Sequence, residues 1–275
     1  MPAQKPMATP ATRTFTVSHA GISVAVTELG LDEPALILLS GLGDPAAWWF
    51  SVPTSEEARP HWIGNDTGER RVGMACALAP IARVIAYDRA GIGASAAPNH
   101  DRSWPELFAE LDAVLNAAKL TQPPILVGHS LGGLIAFAYA RRHPQNIGGL
   151  VLLDPTPPPM SPRPHGDSPE RLALTHFEPS ELAPQSLGSL PLLLLAPGRP
   201  ATVDEVRWQQ PAATQDALNA RFSSRREQHQ RMVQTSARGQ GVWTSGSGHY
   251  VHLDTPQEVA QAIQTFWASL SSHNS

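Results

Sequence analysis

Ser130 stands in Gly128-His129-Ser130-Leu131-Gly132, with the apolar run Pro124-Ile125-Leu126-Val127 before it and the apolar stretch Leu134 to Ala140 after it. A serine hydroxyl is a weak nucleophile near neutral pH; it needs a base to take its proton and an acid to orient that base. Gly-x-Ser-x-Gly between a strand-like and a helix-like run fits a sharp, strained turn that holds Oγ out at the strand tip. Side chains two residues away would collide across such a turn, which is the physical need for Gly128 and Gly132. A helix starting at Leu131 would aim its free N–H groups and positive dipole end at the space beside Oγ, where an oxyanion would form.

The base is sought near the chain's end, in SGSGHYVHLDTPQEV. His249 follows the last apolar run through Ser245-Gly246-Ser247-Gly248, on a loop at the strand tip. His252 is its rival, but Thr255 with Glu258 reads as a capping box for the final helix, so His252 is expected to pack or cap. The two histidines taken as a metal pair lack a third ligand. With the nucleophile first and the base last, the acid lies between them. Asp154 ends LVLLDP at a strand tip; Asp204 lies beyond the proline-bounded Pro197-Gly198-Arg199-Pro200. A strand tip positions a carboxylate better than such a loop, which favours Asp154 and leaves Asp204 as the alternative.

These residues need a frame, and continuous apolar runs supply it at 35–41, 82–88, 124–130, 150–155, 190–198 and 241–248. Runs apolar on both faces read as strands buried in a parallel sheet. Helical periodicity appears over 105–120, 131–144 and 258–270, so strand and helix alternate in a doubly wound α/β arrangement. Before it, RTFTVSHA and ISVAVTEL flank Gly21 as an antiparallel hairpin. The proline-rich stretch from 154 onward breaks the alternation and predicts a small cap or excursion at 156–189; a second irregular stretch covers 51–73. Residues 13–275 read as one domain and residues 1–12 as a disordered tail.

Composition narrows the partners. The formal net charge is −4 without long runs of one sign, which argues against nucleic acid. The single cysteine, Cys76, rules out an internal disulfide and lies in a short apolar helical stretch, GMACALAP, as a structural thiol. No segment has the apolar core of a signal peptide or the ~20 residues of a membrane span, so a cytoplasmic protein is expected. Nothing fixes the oligomeric state.

GHSLGG, the late GSGH and AYDRAGIGAS at 86–95 together resemble the α/β-hydrolase superfamily, in motif order over residues ~15–270. The resemblance implies a serine esterase or lipase-like enzyme with Ser130 as nucleophile, His249 as base and Asp154 as acid. The backbone N–H groups of Leu42 and Leu131 would form the oxyanion hole, and no metal or organic cofactor is called for. Two departures stand out: the oxyanion loop reads Ser40-Gly41-Leu42-Gly43 where the family usually has His-Gly, and the commonest acid slot, after the strand near Ala196, holds Pro and Arg. A minority arrangement with the acid one strand earlier agrees with Asp154. Trp48 and Trp49 follow the oxyanion loop and are placed either to line an apolar pocket or to fill the core. GLGDPA and GIGASA mimic a dinucleotide fingerprint, but the second lacks a helix after it and the first a well-spaced acidic strand end. The expected substrate is a small ester or related acyl compound; the same triad also serves acyltransferases, perhydrolases, carbon–carbon bond hydrolases and receptors with vestigial turnover.

Overall fold

Strands apolar on every side chain need cover on both faces, and the fold supplies it by sending alternate residues of each strand into two separate cores. The computed structural model describes residues 12–53, 70–158, 170, 186–206 and 210–271. In chain order the elements are β1 (Arg13–His19), β2 (Ile22–Leu29), β3 (Leu36–Leu39), α1 (Ala47–Phe50), β4 (Ser51–Pro53), β5 (Arg70–Val72), α2 (Met74–Leu78), β6 (Val84–Tyr87), α3 (Trp104–Ala118), β7 (Ile125–His129) and α4 (Leu131–Arg142). They continue with β8 (Gly149–Leu153), β9 (Leu192–Pro197), α5 (Val203–Val206), α6 (Gln215–Val233), β10 (Gly239–Thr244), α7 (Val251–Asp254) and α8 (Pro256–Ser271).

Eight strands form one sheet in the order β1-β2-β6-β3-β7-β8-β9-β10. β1 pairs antiparallel with β2 and β2 with β6, while every later pairing in this sheet is parallel. The hairpin, the doubly wound sheet and the helical spans read from the sequence are thus present. In β3, Ile37 and Leu39 face Leu111, Ile135 and the rest of the α3/α4 layer. Leu36 and Leu38 face the opposite layer, with Met74, Leu78, Ile263 and Phe266 from α2 and α8. Both sets are fully buried, and each such side chain contributes about 1.5–3 kcal/mol relative to exposure. Ser103 and Glu106 cap the start of α3 reciprocally, which explains why that helix begins where it does.

Several details differ from the sequence reading. Within the 51–73 excursion, β4 and β5 pair as a short antiparallel hairpin; residues 54–69 lie outside the described residues. So do most of the expected 156–189 cap and all but Thr12 of the expected tail. The α6 helix has no counterpart among the expected helices, because only Leu218, His229 and Met232 of its side chains are buried and its apolar periodicity is faint. The capping box at α8 does not form: the Thr255 hydroxyl donates to the Val251 carbonyl instead. Among the described residues no helix is long and apolar enough to cross a membrane.

Backbones come very close where α4 meets β3. A Cβ on Gly132 would overlap the Leu39 carbonyl oxygen and lie 2.5 Å from the Ser40 oxygen, both rigid backbone. Gly132→Ala should therefore destabilise by about 1–3 kcal/mol through overpacking, read as a fall in the urea midpoint at unchanged slope. An unchanged midpoint would mean that α4 and β3 are free to move apart.

Candidate active site

Ser130 joins β7 to α4 with φ +52° and ψ −115°, a backbone region that costs a residue with a Cβ about 1–3 kcal/mol. The surroundings fix it there: Ser130 N–H donates to the Leu153 carbonyl (3.1 Å), and the Ser130 carbonyl accepts from Thr156 N–H (2.8 Å) and Leu134 N–H (3.1 Å). A Cβ on Gly128 would strike the Gly132 backbone, so both motif glycines are steric necessities. The Thr156 hydroxyl lies 3.5 Å from Ser130 Oγ.

His249 sits on the turn between β10 and α7, with its Nε2 3.0 Å from Ser130 Oγ and its Nδ1 2.5 Å from Asp154 Oδ2. Its backbone is held from behind, since His129 Nε2 is 3.0 Å from the His249 carbonyl and fits as its donor. Burial pushes the His249 imidazolium down to about 4, against the opposing pull of Asp154. Asp154 follows β8 with φ +38° and is 2% exposed. Burial works against its carboxylate, but the Arg225 guanidinium, the His249 hydrogen bond and the His249 and His229 charges outweigh that and hold it well below the usual carboxylate range. Arg225 Nε donates to Asp154 Oδ1 (3.0 Å), and its NH2 group donates to the carbonyls of Asp154 (2.9 Å) and Pro155 (3.1 Å). His229 Nε2 lies 2.9 Å from the Pro155 carbonyl.

The loop after β3 is held by charges reaching it from elsewhere in the chain. Arg89 donates to the carbonyls of Ser40 and Gly41, each at 2.6 Å, and grips both oxygens of Glu170 at 2.6 and 2.9 Å. Glu170 in turn accepts from Gly43 N–H at 2.8 Å. Asp88 accepts from Ala46 N–H (2.6 Å) and Ala94 N–H (2.9 Å), tying this loop to the Gly91–Gly93 turn. With Gly43 committed to Glu170, Leu42 N–H and Leu131 N–H have no acceptor among the described residues. Leu42 is 45% exposed and its loop lies beside the start of α4.

Ser130, His249 and Asp154 are thus brought together. Asp204 is exposed on α5, and the ring nitrogens of His249 are taken up by Asp154 and Ser130. Trp49 is buried, donates to Ser40 Oγ and stacks on His252 at 4.5 Å, so among the described residues it packs into the core beneath the site. Trp48 is half-buried and packs edge-on to Tyr250, with ring centroids 6.4 Å apart. His252 packs against Trp49 and His129, and the described residues contain no cluster suited to a metal ion. Burial raises the Cys76 thiol, whose sulfur contacts the Phe50 carbonyl. Sequence reading missed Arg89, Glu170, Arg225, His229 and Asp44. The DR of YDRAG and the four-residue spacing of Arg225 and His229 were the available signals, but neither names its partner without the fold.

The sequence profile of the family described as alpha/beta hydrolase fold matches residues 34–244. The chain is 29% identical over 204 residues to the uncharacterized protein YqjL of Bacillus subtilis (strain 168), covering 68% of this chain and 73% of that one. It is 32% identical over 129 residues to the putative carbamate hydrolase RutD of Rhizobium rhizogenes, a match spanning 46% of this chain and only 40% of that relative. Among solved structures, a thermophilic esterase from Thermogutta terrifontis superposes with a TM-score of 0.65 at 18% identity, covering 94% of this chain and 99% of that one, a likeness of fold. With the sheet order, the turn at Ser130 and the matched span in agreement, this chain belongs to the α/β-hydrolase fold family.

Proposed function

We propose that this chain is a serine hydrolase that cleaves a carboxylic ester or a related acyl compound. The observation that carries the reading is the unbroken relay from Ser130 Oγ through His249 to Asp154, with heavy-atom separations of 3.0 and 2.5 Å. As His249 Nε2 takes the hydroxyl proton, Oγ attacks the substrate carbonyl and the C=O electron pair moves onto oxygen. Leu42 and Leu131 N–H groups would stabilise that oxyanion. Collapse of the tetrahedral species expels the alcohol, protonated by the same imidazole. Water, deprotonated by His249, then attacks the acyl-enzyme and releases the acid and Ser130. Asp154 keeps the Nδ1–H tautomer and stabilises the transient imidazolium. The RutD relative extends the substrate panel to carbamates, whose carbonyl is attacked in the same way.

Steady multiple turnover of a p-nitrophenyl acyl ester series tests the reading, and a single slow covalent event would instead indicate a receptor-like protein. Ser130→Ala should lower kcat by roughly 10⁴-fold or more. Asp154→Asn should cost about 10³ to 10⁴ through loss of imidazole orientation, and Asp204→Asn should cost little. Activity of S130A within tenfold of the unsubstituted protein would remove Ser130 as nucleophile; the reverse ranking of the two aspartates would move the acid.

The pH dependence follows from His249. Only the neutral imidazole accepts the serine proton, and burial lowers the pH at which it becomes charged to about 4. The acid limb of kcat/KM should accordingly lie below pH 6.5, with substantial activity retained at pH 5.5. A limb centred at 6.5 or above would contradict the described environment.

A further inference from the structure

We infer that Arg225 is the positioning residue that makes the tip of β8 serviceable as the seat of the acid, with His229 bracing the same turn one helical turn further along α6. This rests on the Ser130–His249–Asp154 reading and adds the device that orients its carboxylate.

The geometry carries the argument. Asp154 has two carboxylate oxygens: Oδ2 engages His249 and Oδ1 engages Arg225 Nε at 3.0 Å. The Arg225 NH2 group reaches past the carboxylate to the carbonyls of Asp154 and Pro155, so one planar fork gathers three acceptors of the turn. His229 closes on the Pro155 carbonyl at 2.9 Å and lies 3.7 Å from Oδ1. Asp154 also needs the support because its backbone is left-handed, at φ +38°, and Pro155 has no N–H with which to brace it. On its other side, Asp154 N–H is anchored to the Leu195 carbonyl at 2.7 Å. Between β9 and α6 the turn has no freedom to rotate the carboxylate away from His249.

Few apolar residues hold α6 in place, since Leu218 and Met232 are its only buried hydrophobic side chains. The helix instead docks its polar face, with Arg225 and His229, onto the acid turn. The loop after β9, where the family more often seats its acid, carries Arg199, which is paired with Glu205 at 2.7 Å and 2.9 Å.

The electrostatic consequence is specific. The groups facing His249 are Ser130 and His129 from β7, Asp154 from β8, Arg225 and His229 from α6, and Tyr250 and His252 around α7, with Asp44 behind Tyr250. Among them Arg225 disfavours the imidazolium. Removing this cation raises the affinity of His249 for its proton, so the acid limb moves to higher pH. A residue that merely stabilised the fold would leave that limb in place.

Arg225→Met and Arg225→Lys, assayed on an active ester and checked for folding by thermal melting, separate the two contributions. R225M removes charge and fork together: kcat should fall about tenfold or more, with the acid limb displaced upward. R225K keeps the charge but not the fork, so kcat should fall severalfold while the limb stays where it was. A folded R225M with kcat within twofold of the unsubstituted protein and an unmoved limb overturns the inference. If R225M does not fold, R225K decides: reduced kcat at an unchanged limb sustains the inference, and unreduced kcat overturns it. An active S130A would end the underlying triad reading, whereas an inert S130A beside an unaffected R225M ends only the role given to Arg225.

Discussion

The site depends on two backbones being allowed to approach more closely than side chains permit. Ser130 is held at φ +52° between a strand and a helix, and the helix lies against β3 only because Gly132 presents no Cβ to the Leu39 and Ser40 carbonyls. That contact sets the distance between the helix start at Leu131 and the loop carrying Leu42. It also fixes where Oγ emerges, at the carboxyl edge of the parallel strands. Because β7, β8 and β9 run side by side with Leu126, Leu150 and Leu192 in register, residues 119 and 95 positions apart in the chain, His249 with Ser130 and with Asp154, meet at this one edge. The strain at Ser130 is carried by the burial of the strands around it.

Charge organises the same edge. Among the described residues, Arg225 with Asp154, Arg89 with Glu170 and Arg102 with Glu110 pair in or near it, each through a carboxylate side chain no more than 3% exposed. Pairs this deep contribute little net stability, since desolvation offsets attraction. Their effect is directional. Arg89 spends its donors on two carbonyls of the loop after β3 as well as on Glu170, so the loop's peptide planes are fixed by the fold itself. Removing either partner would leave a buried charge exposed to a low-dielectric surround, at a cost of about 3–5 kcal/mol. The loop geometry and the buried ion pair therefore stand or fall together.

The fold was legible because its strands are apolar on both faces and its turns carry steric signatures. LILL, VIAY, ILVGH, GLVLL and LLLLAP read as interior strands, and Gly128 and Gly132 marked the turn at Ser130, where a Cβ on either would collide. Ser130, His249 and Asp154 were legible as strand-tip polar residues following such runs. What stayed hidden has a common cause. Arg225 and His229 lie on a helix of low hydrophobicity, whose role is to present polar groups to a turn 71 and 74 positions earlier in the chain. Glu170 reaches Arg89 across 81 positions. Periodicity reports burial of apolar surface, and these groups are placed by hydrogen bonds instead. Trp49 was ambiguous for a related reason: its indole N–H finds Ser40 inside the core, which no local pattern reveals.

Two carboxyls sit close to the histidine cluster, and their surroundings drive them apart. Asp154 is bound by a guanidinium and held well below the usual range, so it stays an anion in the folded protein near neutral pH. Asp44 is as deeply buried, yet its Oδ1 has no hydrogen-bond partner, its Oδ2 lies 3.6 Å from His129 Nδ1, and burial raises it. Opposite shifts of two neighbouring carboxyls assign them different work. Asp154 is the anion that meets the His249 imidazole, on the side opposite Ser130, while His129 is occupied by the His249 carbonyl. A guanidinium grips Asp154 directly, whereas Arg89 reaches Asp44 by charge alone, and that difference sends the two carboxyls opposite ways.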